Sequence, residues 1–216
     1  MALAFPRAML CGVLSSQFEI RRFMSTNQLA GGTTQVREAA EPRWMAEFTY
    51  APMGRAAFQQ LQAWLDTLRG GLRFFLAHDA LKPYPVGYGK AALLALTRAG
   101  GGAFDGTATL SSISATGFTL TSLPGGFALK AGDHIGLVQS GRFGLFRIVE
   151  DATASGGGAV TLTVEPRVPT NLFTTGALAH LVRPSCTMIL DPASISASRS
   201  AGSRAPITFS GIQALG

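Results

Sequence analysis

The chain has 216 residues, and only 14% of them are charged, 18 basic against 12 acidic for a net charge of +6 at pH 7. With 47% hydrophobic residues it is too apolar to be disordered throughout. Its longest apolar runs, Ala8–Leu14 and Ala91–Leu96, fall far short of the roughly 20 residues that span a bilayer as a helix.

Taken in chain order, the elements are mostly strands. The apolar patch after Arg7 has no Ala-x-Ala cleavage site, so it reads as the start of a first strand rather than as a signal peptide. Gln17–Met24 sets Phe18 and Ile20 against Glu19 and Arg21. Trp44–Tyr50 puts Trp44, Ala46, Phe48 and Tyr50 on one face, the period-two pattern of a half-buried strand. The pattern then changes. Ala57, Leu61, Trp64, Leu65 and Leu68, with Phe58 beside them, draw one stripe on a helix over 55–68, bounded by Pro52 and by Gly70–Gly71. Strands are expected again at Leu72–His78, Gly117–Ser122, His134–Gln139, Arg142–Val149 and Ala159–Glu165, with shorter ones at Met188–Leu190 and Ile207–Phe209.

Punctuation by Gly, Pro and Ser divides the chain. Lys82–Gly89 carries two prolines, Gly100–Gly102 is a triple glycine, and Ser194–Ser203 is small and polar, as in an exposed loop. The expected fold is mainly β with one prominent helix (α+β). A split-barrel-like first domain occupies 1–88, a second small β-barrel or sandwich domain occupies 89–190, and 191–216 returns to the first domain, where Ile207–Phe209 finds a neighbour. Trp44, Phe48, Leu61, Trp64, Leu68 and Phe75 are the expected structural core.

Catalytic and binding constellations are sparse. His78, His134 and His180 have no Cys or His within four residues, which is too open for a metal site. Val138-Gln139-Ser140-Gly141 lacks the first glycine of a nucleophile elbow and reads as a hairpin turn. The carboxylate pairs Glu150 with Asp151 and Asp133 with Glu165 sit at strand ends and in turns, as surface polar residues do. Gly87-Tyr88-Gly89-Lys90-Ala91-Ala92 matches a dinucleotide fingerprint, but Pro83-Tyr84-Pro85 stands where a buried parallel strand is required, so it reads as a connector. No catalytic residue, metal or cofactor is expected. Cys11 and Cys186, at opposite ends of the chain, read as buried free thiols. The arginines are scattered, with no basic run that would grip nucleic acid.

The order of these features resembles the distal tail protein and related tail-tip (baseplate) components of long-tailed bacteriophages, prophages and gene transfer agents. The residues that carry the resemblance are Pro42–Phe48, Pro52, Trp64–Gly71, Phe74–Asp79, Leu129–Ile135, Phe143–Val149, Ala159–Val164 and Glu165-Pro166-Arg167, covering about 42–190. The resemblance implies a ring of identical copies, usually a hexamer, with the second domain projecting outward. Such a ring is a structural part of the virion, assembled in the bacterial cytoplasm. It joins the tail tube protein to the hub protein and fibres around a lumen for the tape-measure protein and for DNA. No carbohydrate-binding insertion is matched. The alternative is a carbohydrate- or host-receptor-binding β module. Against it, the second domain offers Phe104, Phe118, Phe127, Phe143, Phe146 and Phe173 rather than the Trp and Tyr that sugars favour.

Overall fold

The computed structural model describes residues 2–4, 12–29, 31–197 and 204–214. The elements are β1 (Val13–Gln28), β2 (Thr34–Met53), α1 (Arg55–Thr67), β3 (Phe75–His78), α2 (Lys90–Leu94), β4 (Thr107–Ile113), β5 (Gly117–Thr121), β6 (Ala128–Leu129), β7 (His134–Gln139), β8 (Arg142–Ile148), β9 (Ala152–Thr153), β10 (Val160–Glu165), β11 (Leu178–His180), β12 (Ser185–Ser196) and β13 (Ala205–Gln213). The fold is mainly β. One five-stranded antiparallel sheet has the order β1-β2-β13-β12-β3, and β10-β5-β4-β11-β7-β8 close into a barrel.

The sheet is stitched by the chain's last strand. β13 pairs with β2 on one side, Phe209 opposite Phe48, and with β12 on the other, Ile212 opposite Ile189. α1 lays its stripe of Ala57, Phe58, Leu61 and Leu65 onto this sheet. Trp44, Phe48, Leu61, Leu68 and Phe75 are fully buried, while Trp64 is half-buried and packs edge-on against Phe75 at 5.6 Å. The helix ends in a tight turn at Arg69–Gly71. Gly71 has φ +98°, and a Cβ there would lie 2.8 Å from the Leu190 carbonyl oxygen, so both its conformation and its closeness to β12 demand glycine.

A side chain links the two edge strands of the sheet. The Ser16 hydroxyl on β1 donates to the Asp79 carboxylate just past β3. Leu3 adds a parallel bridge to Phe75, donating its N–H to the Phe74 carbonyl and accepting from Leu76, both at 2.8 Å. Leu3 thus covers part of the β3 edge.

The barrel is laid into the sheet between β3 and β12. The chain leaves the sheet after His78 and rejoins it at Ser185, which pairs directly with His78. β12 therefore spans the boundary expected near 190. Phe118, Leu120, Leu137, Phe146 and Leu162 fill the barrel, and Tyr88 stacks on Phe127 at one end with ring centroids 4.5 Å apart.

Some expectations are corrected. The strand expected from Leu72 begins only at Phe75, because the positive-φ turn at Arg69–Gly71 turns Leu72 out to solvent at 82% exposure. Ser194–Ser196 belong to β12 rather than to a loop; a break at Asp191 is bridged where the Ser194 hydroxyl accepts the Ser210 N–H at 2.7 Å. Positions 198–203, and Cys11 with most of the Ala8–Leu14 patch, lie outside the described residues. The short β6, β9, β11 and α2 carry too little contrast to be read from sequence; β11 buries Ala179 where longer strands bury leucine or phenylalanine. The seven-residue β4, which buries Ala108 and Leu110, is not among the expected strands.

Phe75→Ala should cost about 3–5 kcal/mol and Trp64→Ala less, as its partial burial dictates. Urea unfolding measures both, and an unchanged midpoint for Phe75→Ala would remove that ring from the core.

Candidate functional site

β1 and β2 are longer than the sheet that holds them. β13 covers β2 only from Met45 to Met53, and the Trp44 N–H is taken by the Gln213 side-chain oxygen at 3.2 Å, where a further strand residue would have accepted it. Beyond that point β1 and β2 continue as a two-stranded ribbon, Arg21 opposite Arg43 and Gln28 opposite Thr34, with no further strand on either edge among the described residues. Its turn is closed by the Leu29 N–H donating to Thr33 and the Gly32 N–H to Leu29. From Glu41 to Thr33, where the turn begins, the ribbon runs about 26 Å at strand rise. Every described residue from Arg21 to Glu41 is exposed except the half-buried Phe23, and Met24, Leu29 and Val36 are 57%, 44% and 56% exposed.

A cavity of about 470 Å³ opens at the root of the ribbon. Glu38–Pro42 form one wall, β8 and the loop following β10 the other, with Phe143, Leu145 and Phe173 as apolar lining and Glu41, Arg142 and Arg167 at its sides. Arg22 joins the ribbon to the barrel through Glu165 at 2.8 Å and reaches Glu38 at 3.7 Å. Both pairs are exposed enough to add little individually.

Above the cavity the sheet docks on the barrel through Trp44. Its indole N–H donates to the Leu145 carbonyl at 2.6 Å, and the Arg147 guanidinium lies 4.9 Å from its ring centre while donating to the Phe18 carbonyl at 2.9 Å. His134 meets Trp44 edge-on at 5.3 Å, and its Nδ1 has no hydrogen-bond partner. Its Nε2 accepts a long, 3.5 Å bond from Arg147. Burial first, and then the Arg147 charge, push the imidazole down to about 4, against a smaller opposing pull from Asp79.

The residues weighed for chemistry are dispersed. Ser140 and Gly141, at φ +50° and +78°, form the two-residue turn between β7 and β8. Asp133 is buried as a loop clamp, accepting the N–H groups of Val86 at 2.8 Å and Lys130 at 2.9 Å. Glu165 holds Arg22, Asp151 holds Lys130, and Glu150 is exposed. His78 pairs within the sheet at Ser185, and His180 is half-buried on β11, where burial lowers its pKa. Cys186 is fully buried and burial pushes its thiol up. Gly89 opens only the five-residue α2, and no strand precedes Gly87 in the 79–86 connector. Among the described residues no three His, Cys, Asp or Glu gather as metal ligands, and no helix is long and apolar enough to cross a membrane.

No protein-family model matches the chain, and no curated protein matches it. The ribbon escaped the sequence reading because Ser25–Glu41 has no apolar face. The available signal was Gly31-Gly32 between two Thr- and Val-bearing segments, a hairpin turn of the ordinary kind.

Trp44→Phe keeps the ring but orphans the Leu145 carbonyl, and should cost about 1–3 kcal/mol in chemical denaturation. His134 binds its proton more weakly folded than unfolded, where the value is 6.5. Its contribution is therefore complete above pH 6.5 and is lost as pH falls toward 4, by up to about 3 kcal/mol. Melting temperatures from pH 7.5 to 4 should fall more steeply for the wild type than for His134→Gln; parallel curves would refute the assignment.

Proposed function

We propose that this chain is a structural protein of a phage tail tip, whose copies close into a ring that connects the tail tube to the hub and fibres. The ribbon carries this reading. A two-stranded projection with both edges open and apolar side chains along it is a poor design for an isolated molecule and a sound one for a subunit, because unpaired edges recruit strands from other chains. The low charge content points the same way, since fewer ionised groups coat the surface than a free monomer carries.

A head-to-tail contact repeated between identical copies closes into a ring when its rotation permits, and the resemblance to distal tail proteins makes six the expected number. The tail tube protein, hub protein and tape-measure protein are the expected neighbours in the virion. A net charge of +6 suits a lumen that DNA crosses without sequence-specific grip. The cavity beside the ribbon is lined by phenylalanines and has no Trp or Tyr, which favours a packing surface over a sugar site.

Native mass spectrometry of the purified protein should give a hexamer or another closed ring. A monomer at high concentration would overturn the proposal. Replacing 25–36 by a two-residue turn removes no core residue, so the shortened protein should keep its melting temperature while losing the ring.

A further inference from the structure

We infer that the tip of one copy's ribbon seats in the cavity at the ribbon root of the next copy. This deepens the ring reading and rests on it. The two surfaces are complementary in kind. The tip presents Leu29, with Met24 and Val36 behind it, all largely in water. The cavity presents the partly buried Phe143 and Leu172 as apolar surface, and its volume of about 470 Å³ is of a size to take a turn carrying one large side chain. Charges follow the same arrangement. Arg37 lies on the ribbon about 13 Å behind the turn, Glu41 stands at the cavity wall, and neither makes an ion pair among the described residues.

The occupant must come from another molecule. Glu38–Pro42 of the same ribbon form one wall of the cavity, and the turn lies about 26 Å further along an antiparallel ladder that pairs Gln28 with Thr34. To enter its own cavity the ribbon would have to fold back on itself and break that ladder. Tip and cavity are different surfaces, so the contact is heterologous: each copy gives a tip to one neighbour and receives one from the other. That is the geometry from which rings close.

Cross-linking tests the inference. In a Cys11→Ser background, with Cys186 buried and unreactive, the double variant Leu29→Cys/Thr170→Cys places one thiol at the tip and one at the cavity. A short bis-maleimide should convert its rings into a ladder of covalent dimers, trimers and higher species up to the full ring, whereas each single variant should stay monomeric under denaturing conditions. Leu29→Asp, which changes an exposed position, should leave the melting temperature unchanged and reduce the ring fraction at least tenfold. Rings in native mass spectra without the ladder, or rings undiminished in Leu29→Asp, would overturn the docking and leave ring formation standing. A monomeric wild-type protein would overturn both.

Discussion

The structure turns on Trp44. Its backbone N–H goes to Gln213 at the end of β13, its indole N–H to Leu145 on the barrel, and its ring packs among Phe18, His134 and Arg147. At one residue the sheet therefore stops widening, the barrel is attached, and β1 and β2 depart as the ribbon. A fully buried indole satisfied by a carbonyl of the other unit fixes orientation as well as contact, because the N–H has a single direction in which it escapes an unpaired, costly burial.

That attachment is unusually free of compensating charge. Arg147 is held at the sheet–barrel junction by a backbone carbonyl and an aromatic face, and Asp79 is the acidic group that acts on its neighbour His134. Burial first, and then the Arg147 charge, keep the imidazole neutral against the pull of Asp79. Acid therefore acts on the junction where the two units meet, and the ribbon root and the cavity wall lie against the same strand, β8.

Sequence and structure agree where a segment has strong contrast between its faces. The stripe of α1 and the alternation of Trp44–Tyr50 each encode one buried side, and the burial of Trp44, Phe48, Leu61 and Leu68 follows from it; Phe75, also buried, lies on β3 outside both patterns. The sixth expected core residue, Trp64, lies on the stripe but at its margin, a distinction that spacing alone does not make. Legibility fails for β11, where Ala179 does the burying, because a small apolar residue gives little contrast. It fails differently for the ribbon, which has no buried face to encode. The cavity was invisible for a third reason: Glu41, Phe143, Phe173 and Gln213 are brought together only by the docking of the two units.

His78 and Ser185 are partners in neighbouring strands, so everything from 79 to 184 departs from and returns to points about 5 Å apart. The barrel is thereby a cassette. The sheet with α1 keeps its own hydrogen-bond ladder whatever is threaded through that gap, provided the insert offers Trp44 a carbonyl and an apolar seat. On this plan the barrel can differ in length or surface while the sheet that carries the ribbon stays as it is.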